Sequence, residues 1–308
     1  METRTGLGSL LKILPPVDFC CVYGSSLHPN NNDKSSMEDY ILGVSNPQQW
    51  HSEITKVADN IGVGVHFNPF VSWNNKMYKY GVVQTDNLTR DMLNWESFYL
   101  SGRLQKPVRI IVDKMDIQNV NLANLRAASS AALLLLPSKF TERELYAKIC
   151  SLSYMGDLRM LFAEDKNKVK KIVDGQFELF RNMYNPLVEE FANKQLLKLS
   201  SSSDHQMNIS QECSLSATTS IVSSLPESVR NRMGTGILET KAGQNSGIII
   251  RSREEAAACM QKVLRRRVMT SSARQAVAGF ITVGAVHGIR KTDDTKFAPM
   301  LMSIELGS

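Results

Sequence analysis

The stretch from Phe19 to Val44 reads FCCVYGSSLHPNNNDKSSMEDYILGV. Two short apolar runs flank a polar, asparagine-rich segment, which predicts a strand, a turn and a second strand. Gly24 at the turn lets a ligand approach the backbone, and Ser25 and Ser26 offer hydroxyl and N–H donors to a phosphate oxygen. Asp39 enters the second strand beside this turn, where Mg²⁺ would bind, because that ion takes carboxylate and phosphate oxygens. The alternative is an ordinary loop between two core strands.

The composition is that of a globular protein, and its net positive charge favours an anionic partner. A chain of 308 residues suffices for two domains, and 43% hydrophobic with 21% charged residues is typical of a packed core. The net charge of +6 favours a nucleotide, a nucleic acid or an anionic membrane without choosing among them. Five scattered cysteines without a CxxC pair argue against a zinc site or a disulfide framework and favour a reducing compartment.

Alternating apolar residues predict a β-hairpin between residues 61 and 83. Lys79 falls on its second strand, where a lysine either binds an anion or extends into solvent. Arg103 and Lys106 stand before a further apolar strand at Val108–Val112. These two cations either hold a triphosphate or remain solvated loop charges.

Helical periodicity dominates the middle of the chain. A helix is expected at Asp91–Gly102, and others follow, including a long one from Lys166 to Leu199 that is interrupted at Asn185-Pro186. Thr141 and Glu144 have the spacing of a capping box at a helix start. No histidine or cysteine combines with an acid or a hydroxyl into a nucleophilic catalytic set.

The C-terminal part joins a serine-rich segment to a basic tail. Ser200–Ser224 holds ten serines and is expected to be a disordered linker. A helix is expected at Ser252–Met269, with three consecutive arginines near its end. As a helix, the apolar run Ala276–Ile289 would reach about 21 Å, short of the ~30 Å hydrocarbon core of a bilayer. This run either lies in a membrane interface, with flanking cations on anionic headgroups, or packs as a buried helix.

Short motifs follow one another in a fixed order along residues 19–199. They are Tyr23-Gly24-Ser25, Met37-x-Asp39, Trp50-His51, Phe67-Asn68-Pro69, Lys79-Tyr80-Gly81-Val82, Asp91-x-Leu93-x-Trp95, Gly102-Arg103-x-x-Lys106-Pro107-Val108, Asn124-Leu125-Arg126, Ser153-Tyr154-x-Gly156-Asp157-x-Arg159-Met160 and Glu164-Asp165-x-x-Lys168-Val169. This ordered set resembles the mitochondrial translocator assembly and maintenance protein family. Members of that family are peripheral phosphatidate cytidylyltransferases of the mitochondrial inner membrane, and they make CDP-diacylglycerol for cardiolipin. A pattern that resembles the family's membrane-binding tail lies at Ser271-Ser272-x-x-Gln275, Gly279 and Gly284.

The resemblance implies an α/β fold in which a nucleotidyltransferase-type mixed sheet precedes a helical domain and a C-terminal amphipathic membrane-docking region. The expected division is a nucleotidyltransferase domain at 1–115, a helical domain at 116–199, the linker at 200–225 and a basic membrane-associating region at 226–308. The implied location is peripheral, on the matrix side of the mitochondrial inner membrane. A homo-oligomer is compatible with the sequence, and no nucleic-acid partner is expected.

The resemblance also implies CTP and phosphatidate as substrates, Mg²⁺ as the cofactor and an anionic membrane as a partner surface. Asp39 and Lys79 would be catalytic, and CTP would be bound by Gly24, Ser25, Ser26, Arg103 and Lys106. Asp39 would hold the metal with a second carboxylate, for which Asp91 and Asp113 are the candidates. The cations would neutralise charge while a phosphatidate oxygen attacks the α-phosphate and pyrophosphate leaves. The predicted membrane-binding residues are Arg265, Arg266, Arg267, Arg274, Phe280, Arg290 and Lys291.

One block of the family pattern is missing from this chain. Members usually carry a longer insert, with an Asn and a His-Tyr-Ser element, between the Trp-His motif and the Asn-Pro strand. Here His51 is followed almost directly by Ile61. Two alternatives follow from this loss. The chain is a catalytically impaired variant of the enzyme, or it is a non-enzymatic membrane-associated factor that supports mitochondrial protein import. A nucleotidyltransferase that modifies nucleic acid is a third alternative, which the positive charge alone suggests.

Overall fold

The computed structural model describes residues 9–12, 14–27, 37–47, 63–73, 76–157, 167–201, 207–237 and 250–292. In this part of the chain, five strands form a mixed sheet in the order β3-β4-β2-β1-β5. The strands are β1 Phe19–Tyr23, β2 Glu38–Val44, β3 Val65–Trp73, β4 Lys76–Gln84 and β5 Arg109–Asp113. Strand β2 pairs with β4 in parallel, and the other neighbours pair antiparallel.

Both faces of the sheet are covered, which explains why its central strands are nearly continuous apolar runs. Phe19, Cys21 and Tyr23 of β1 share one face with apolar side chains of helices α1 (Thr85–Asn94) and α2 (Leu100–Leu104). On the opposite face, Cys20 and Val22 join a separate cluster that includes residues of the N-terminal segment. The face under α1 and α2 carries the residues of the site described below.

The rest of the described chain forms a helical layer around α3 (Ile117–Leu135), whose second half is almost entirely buried. The helices that surround it are α4 (Glu142–Leu152), α5 (Lys168–Gly175), α6 (Phe177–Asn193), α7 (Leu215–Ser223) and α8 (Glu227–Ile237). A three-stranded antiparallel sheet in the order β6-β8-β7 adjoins them, formed by β6 Lys139–Thr141, β7 Leu197–Ser201 and β8 Met207–Gln211.

Helix α9 (Arg253–Thr292) packs along the helical layer and contacts the end of α1 through Arg267. Met260, Leu264 and Val268 form a buried stripe at the four-residue spacing of a helix face. Further along the helix, the Ser272 hydroxyl donates to Asp157 Oδ1 at 2.9 Å. A search of the described residues finds no helix that is long and apolar enough to cross a membrane.

The sequence predicted the sheet elements correctly. Strands β1, β2 and β5 and the β3–β4 hairpin lie where the apolar patterns place them, and the mixed α/β class is confirmed. The capping box is also confirmed, since Glu144 N–H donates to Thr141 Oγ1 at 3.2 Å and Thr141 N–H donates to Glu144 Oε2 at 2.7 Å. The division into domains and the amphipathic docking region stay predictions.

Two helix predictions were wrong in detail. The helix expected at Asp91–Gly102 is broken, because Trp95 and Phe98 adopt left-handed φ values of 54° and 58° that end α1 before α2 begins. The later break falls at Gln176 between α5 and α6, while Pro186 lies inside α6. One lost backbone hydrogen bond at a proline is tolerated where the helix is held by a buried face.

The serine-rich segment is not a disordered linker where the structure describes it. Strands β7 and β8 and helix α7 occupy residues 197–201, 207–211 and 215–223. Apolar side chains between the serines explain this order, since Ile209, Ile221 and Val222 are 2%, 0% and 3% exposed and join the core. The composition predicted disorder because the serines outnumber these apolar residues.

Candidate active site

The turn after β1 brings the backbone against a carboxylate. Gly24 has a φ of +89°, and a Cβ built on it would lie 2.8 Å from Asp39 Oδ2. Only glycine tolerates both the left-handed conformation and this approach. A short 3₁₀ helix, Ser25–Leu27, follows the turn. Ser25 is exposed, whereas the buried Ser26 hydroxyl donates to the carbonyl of Tyr23 at 3.4 Å and so serves the turn itself.

Strand pairing places Asp39 beside Lys79. Asp39 is opposite Tyr23 on β1 and opposite Lys79 on the parallel strand β4, so the three side chains lie on the same face of the sheet. Burial raises the pKa of Asp39, while the positive charges of Lys79 and Arg103 act to lower it. Within the described ranges, no hydrogen bond or salt bridge engages the Asp39 carboxylate. This half-buried carboxylate is therefore available to a ligand.

Helix α2 delivers Arg103 to the same face. Its guanidinium carbon lies 4.2 Å from the centroid of the Tyr23 ring, the contact of a cation–π pair. Burial lowers the pKa of Arg103, but Tyr23, Tyr99, Tyr154 and Asp39 raise it above the ordinary value. The Arg103 guanidinium makes no hydrogen bond or salt bridge to any residue that the structure describes. A charged fork of N–H donors held this way is suited to phosphate oxygens.

Lys79 completes the group of charges. Its ammonium lies 5.4 Å from the centroid of the Phe67 ring on β3, and the Phe67 ring contacts Tyr99 edge to face at 6.1 Å. These rings form an apolar wall beside the charged groups. The site thus combines one carboxylate, Asp39, with two cations, Lys79 and Arg103, next to the half-buried turn at Gly24.

Lys106 is held by contacts with residues outside this group. It is 7% exposed, and its ammonium donates to the Gly102 carbonyl at 2.6 Å and to Ser153 Oγ at 2.7 Å. The cations that shift the pKa of Asp39 are Lys79 and Arg103, and Lys106 is not one of them. The predicted contact of Lys106 with CTP stays a prediction.

Asp91 does not supply the second metal-binding carboxylate. Its two oxygens accept hydrogen bonds from six donors, which are the backbone N–H groups of Ser97, Phe98, Leu100 and Ser101 and the hydroxyls of Ser97 and Ser101. The residue is 4% exposed and holds the turn between α1 and α2. The sequence expectation of a metal ligand is corrected here, because every lone pair of this carboxylate already serves the fold.

Asp113 is also far from the Gly24 turn. It pairs with Phe19 at the opposite end of β1 from Tyr23, and it accepts hydrogen bonds from the N–H groups of Ile117 and Gln118 at the start of α3. Among the residues described, no group of three or more His, Cys, Asp or Glu side chains could hold a metal ion. One carboxylate, Asp39, fits Mg²⁺ that keeps waters and takes its remaining ligands from substrate phosphates.

The predicted membrane-binding arginines separate into two kinds. Arg265, Arg266 and Arg274 are exposed on α9. Arg267 is 6% exposed, and its guanidinium donates to the carbonyls of Asn94, Trp95 and Ser228 and to the Ser228 hydroxyl. Burial, together with repulsion from Arg232, lowers its pKa to about 10. Arg267 therefore ties α9 to the end of α1, which corrects its assignment to a membrane contact.

Several predictions fall outside the described residues. These are the Trp50-His51 motif, the position of the missing block, the Glu164-Asp165 motif and the side chains of Phe280, Arg290 and Lys291. Conversely, sequence reasoning missed the roles of Tyr23 and Tyr154, whose rings lie under Arg103 and Lys106. The available signal was the place of each tyrosine in a motif, Tyr23-Gly24-Ser25 and Ser153-Tyr154-x-Gly156.

A family described as "Phosphatidate cytidylyltransferase, mitochondrial" has a sequence model that matches residues 7–54 and 52–293. The two matched segments meet close to the expected missing block. Proteins with that name include one from Homo sapiens, 37% identical over 194 residues, and one from Danio rerio, 36% identical over 203 residues. These alignments cover 55% and 57% of this chain but only 43% and 60% of the relatives, less than two thirds of their length. The protein of that name from Caenorhabditis elegans is 29% identical over 314 residues, covering 92% of this chain and 96% of the relative.

Proposed function

The chain belongs to the mitochondrial phosphatidate cytidylyltransferase family, and on that premise we propose that it makes CDP-diacylglycerol and pyrophosphate from CTP and phosphatidate. The observation that carries this proposal is the convergence of Asp39, Lys79 and Arg103 on the Gly24 turn. One carboxylate and two cations there have no hydrogen-bonding or ion-pair partner within the described chain. Charged groups that the fold leaves unpaired in this way point to a charged ligand.

The proposed chemistry is a displacement at the α-phosphorus of CTP. An oxygen of the phosphatidate phosphate attacks this phosphorus, and a new P–O bond forms. The bond from the α-phosphorus to the oxygen that bridges to the β-phosphate breaks, and its electron pair leaves with pyrophosphate. Lys79 and Arg103 stabilise the charge on the triphosphate, and the Gly24 turn admits the phosphates close to the backbone. Catalysis of this kind rests mainly on positioning and electrostatics.

Mg²⁺ is the proposed cofactor, held by Asp39 and the phosphates of CTP. When bound, it neutralises phosphate charge and favours the departure of pyrophosphate. In this proposal Asp39 holds the metal through its ionised carboxylate. Because burial raises the pKa of Asp39, Lys79 and Arg103 have a second role, which is to keep the carboxylate ionised.

Phosphatidate is a bilayer lipid, so the enzyme must reach a membrane surface. We propose that the exposed residues Arg265, Arg266 and Arg274 dock α9 on an anionic leaflet, at about 1 kcal/mol for each basic residue near the surface. Met269 and Val277 on the same helix are 44% and 49% exposed and add apolar contacts. The proposed location is peripheral, on the matrix side of the inner membrane, where the product supplies cardiolipin synthesis.

The test is to incubate the purified chain with labelled CTP, Mg²⁺ and liposomes that contain phosphatidate, and to measure labelled lipid. The wild-type chain is expected to form CDP-diacylglycerol, and Asp39→Ala is expected to lose at least ~100-fold in rate. Asp86→Ala is the matched control, since Asp86 is exposed on α1. No product from the wild type, or equal product from Asp39→Ala, would contradict the proposal. Rescue of protein import by Asp39→Ala in cells that lack the enzyme would favour the non-enzymatic alternative.

A further inference from the structure

A second group of cations lies near Arg103, around the ring of Tyr154. The ammonium groups of Lys106 and Lys168 are 5.1 Å and 5.4 Å from the centroid of the same ring, that of Tyr154. They therefore lie no farther apart than about twice that distance. Lys106 lies two residues after the end of α2, whereas Lys168 is the first residue of α5. Two separate elements thus bring like charges to one aromatic ring.

The buried thiol of Cys150 lies near the same cations. Burial raises its pKa, and Lys106, Arg103 and Lys168 each act to lower it. All three positive charges therefore act on this one thiol. Positive charges gathered in this way raise the local electrostatic potential, which favours the binding of an anion.

Tight packing fixes the position of this group. A Cβ on Gly102 would lie 2.6 Å from Ser153 Cβ, so α2 approaches the turn after α4 as closely as glycine allows. Lys106 is oriented by its hydrogen bonds to the Gly102 carbonyl and to Ser153 Oγ. The buried lysine thus has a set direction, which is a property of built binding sites rather than of solvated surface charges.

Arg103 belongs to both groups of charges. It acts on Asp39 together with Lys79, and it acts on Cys150 together with Lys106 and Lys168. Two anions bound at the two groups would therefore meet across Arg103. A transferase that joins two phosphates needs this arrangement, because the substrates repel one another unless cations separate and neutralise them.

We propose that Lys106 and Lys168, with Arg103, bind the phosphate monoester of the acceptor substrate, while the Gly24 side of Arg103 binds the triphosphate. This inference rests on the proposed function and names the acceptor subsite within it. It moves Lys106 from the nucleotide to the acceptor and gives Lys168 a role. The ligand chemistry is a phosphate monoester, which either phosphatidate or a soluble phosphate ester can present.

The first experiment compares Lys168→Gln with Lys170→Gln, an exposed lysine on the same helix. Initial rates are measured while phosphatidate in liposomes is varied at saturating CTP, and then while CTP is varied at saturating phosphatidate. Lys168→Gln is expected to raise the apparent KM for phosphatidate roughly tenfold, as for the loss of one charge-assisted hydrogen bond. Its KM for CTP should stay within about twofold, Lys168→Arg should restore most of the affinity, and Lys170→Gln should match the wild type. An equal rise in both KM values, or a rise for CTP alone, would overturn the assignment.

The second experiment uses no catalysis, so its failure is distinct from failure of the proposed function. The thermal unfolding midpoint is measured with glycerol 3-phosphate, which has the phosphate monoester but no acyl chains, and with phosphatidate dispersed in phosphatidylcholine vesicles. A ligand that binds the native state raises the midpoint in proportion to the logarithm of its concentration over Kd. Both probes should raise the unfolding midpoint of the wild type and of Lys170→Gln more than that of Lys168→Gln. A shift with phosphatidate alone would assign recognition to the lipid and its surface, and equal shifts in all three proteins would overturn the subsite.

Discussion

Replacing Gly24 by alanine tests whether the turn after β1 is built around Asp39. The residue has a φ of +89°, where a non-glycine residue costs roughly 1–2 kcal/mol. The new Cβ would also lie 2.8 Å from Asp39 Oδ2, against 3.4 Å for ordinary contact, so the carboxylate must move by about 0.6 Å. Since a misplacement of ~1 Å can cost ~100-fold in rate, Gly24→Ala should lose roughly 10- to 100-fold in cytidylyl transfer.

Gly64 provides a matched control for this substitution. Its φ is +72°, but the nearest atom to a Cβ there is Asn87 Nδ2 at 3.6 Å, an ordinary contact. Gly64→Ala should therefore carry the same backbone strain without displacing a site residue. Urea unfolding should show a loss of roughly 1–2 kcal/mol for both variants, and initial rates should fall only for Gly24→Ala. Activity of Gly24→Ala within twofold of the wild type, or equal losses for the two variants, would refute the reasoning.

Three further predictions concern groups around the site. Arg267→Gln should lower the free energy of unfolding in urea by roughly 2–3 kcal/mol, because four hydrogen bonds are lost, yet it should sediment normally with anionic vesicles. Arg266→Gln should keep the stability of the wild type and sediment less with the vesicles. Identical behaviour of the two variants would contradict both assignments. Asp91→Asn should lose roughly 2 kcal/mol or more without changing the Mg²⁺ dependence of the rate, whereas a metal ligand would change that dependence. Lys79→Gln should shift the acid limb of kcat/KM to higher pH, because Lys79 lowers the pKa of Asp39 and the ionised form is active; an unmoved limb would count against this role.

The local part of the fold could be predicted from the sequence, because strand alternation and capping are short-range patterns. The runs around Phe19 and Glu38 and the pairing of Thr141 with Glu144 are examples. The parallel pairing of Asp39 with Lys79 is different, since it joins residues forty positions apart. Sequence placed both residues on strands, and only the sheet order placed them side by side.

The wrong predictions for the first helix, for Asp91 and for Arg267 arose because tertiary structure, and not a short-range pattern, decides these features. The left-handed positions are occupied by Trp95 and Phe98 and not by glycine or asparagine, the residues that usually signal this conformation. The sequence pattern therefore predicted an unbroken helix, with Asp91 free to bind a metal. The three consecutive arginines before Val268 looked equivalent in sequence. Successive residues on a helix point about 100° apart, and this rotation buries Arg267 while Arg265 and Arg266 stay exposed.

The central claim is that CTP is bound with its α-phosphorus accessible to a lipid phosphate at the Asp39, Lys79 and Arg103 site. The most direct measurement supplies CTP labelled at the α-phosphate in one reaction and at the γ-phosphate in another, with Mg²⁺ and phosphatidate liposomes. The α label is expected to enter the lipid and the γ label to leave as pyrophosphate, and Arg103→Gln is expected to abolish both. Label from the γ-phosphate in the lipid, no labelled lipid from either reaction, or unchanged transfer by Arg103→Gln would contradict the central claim.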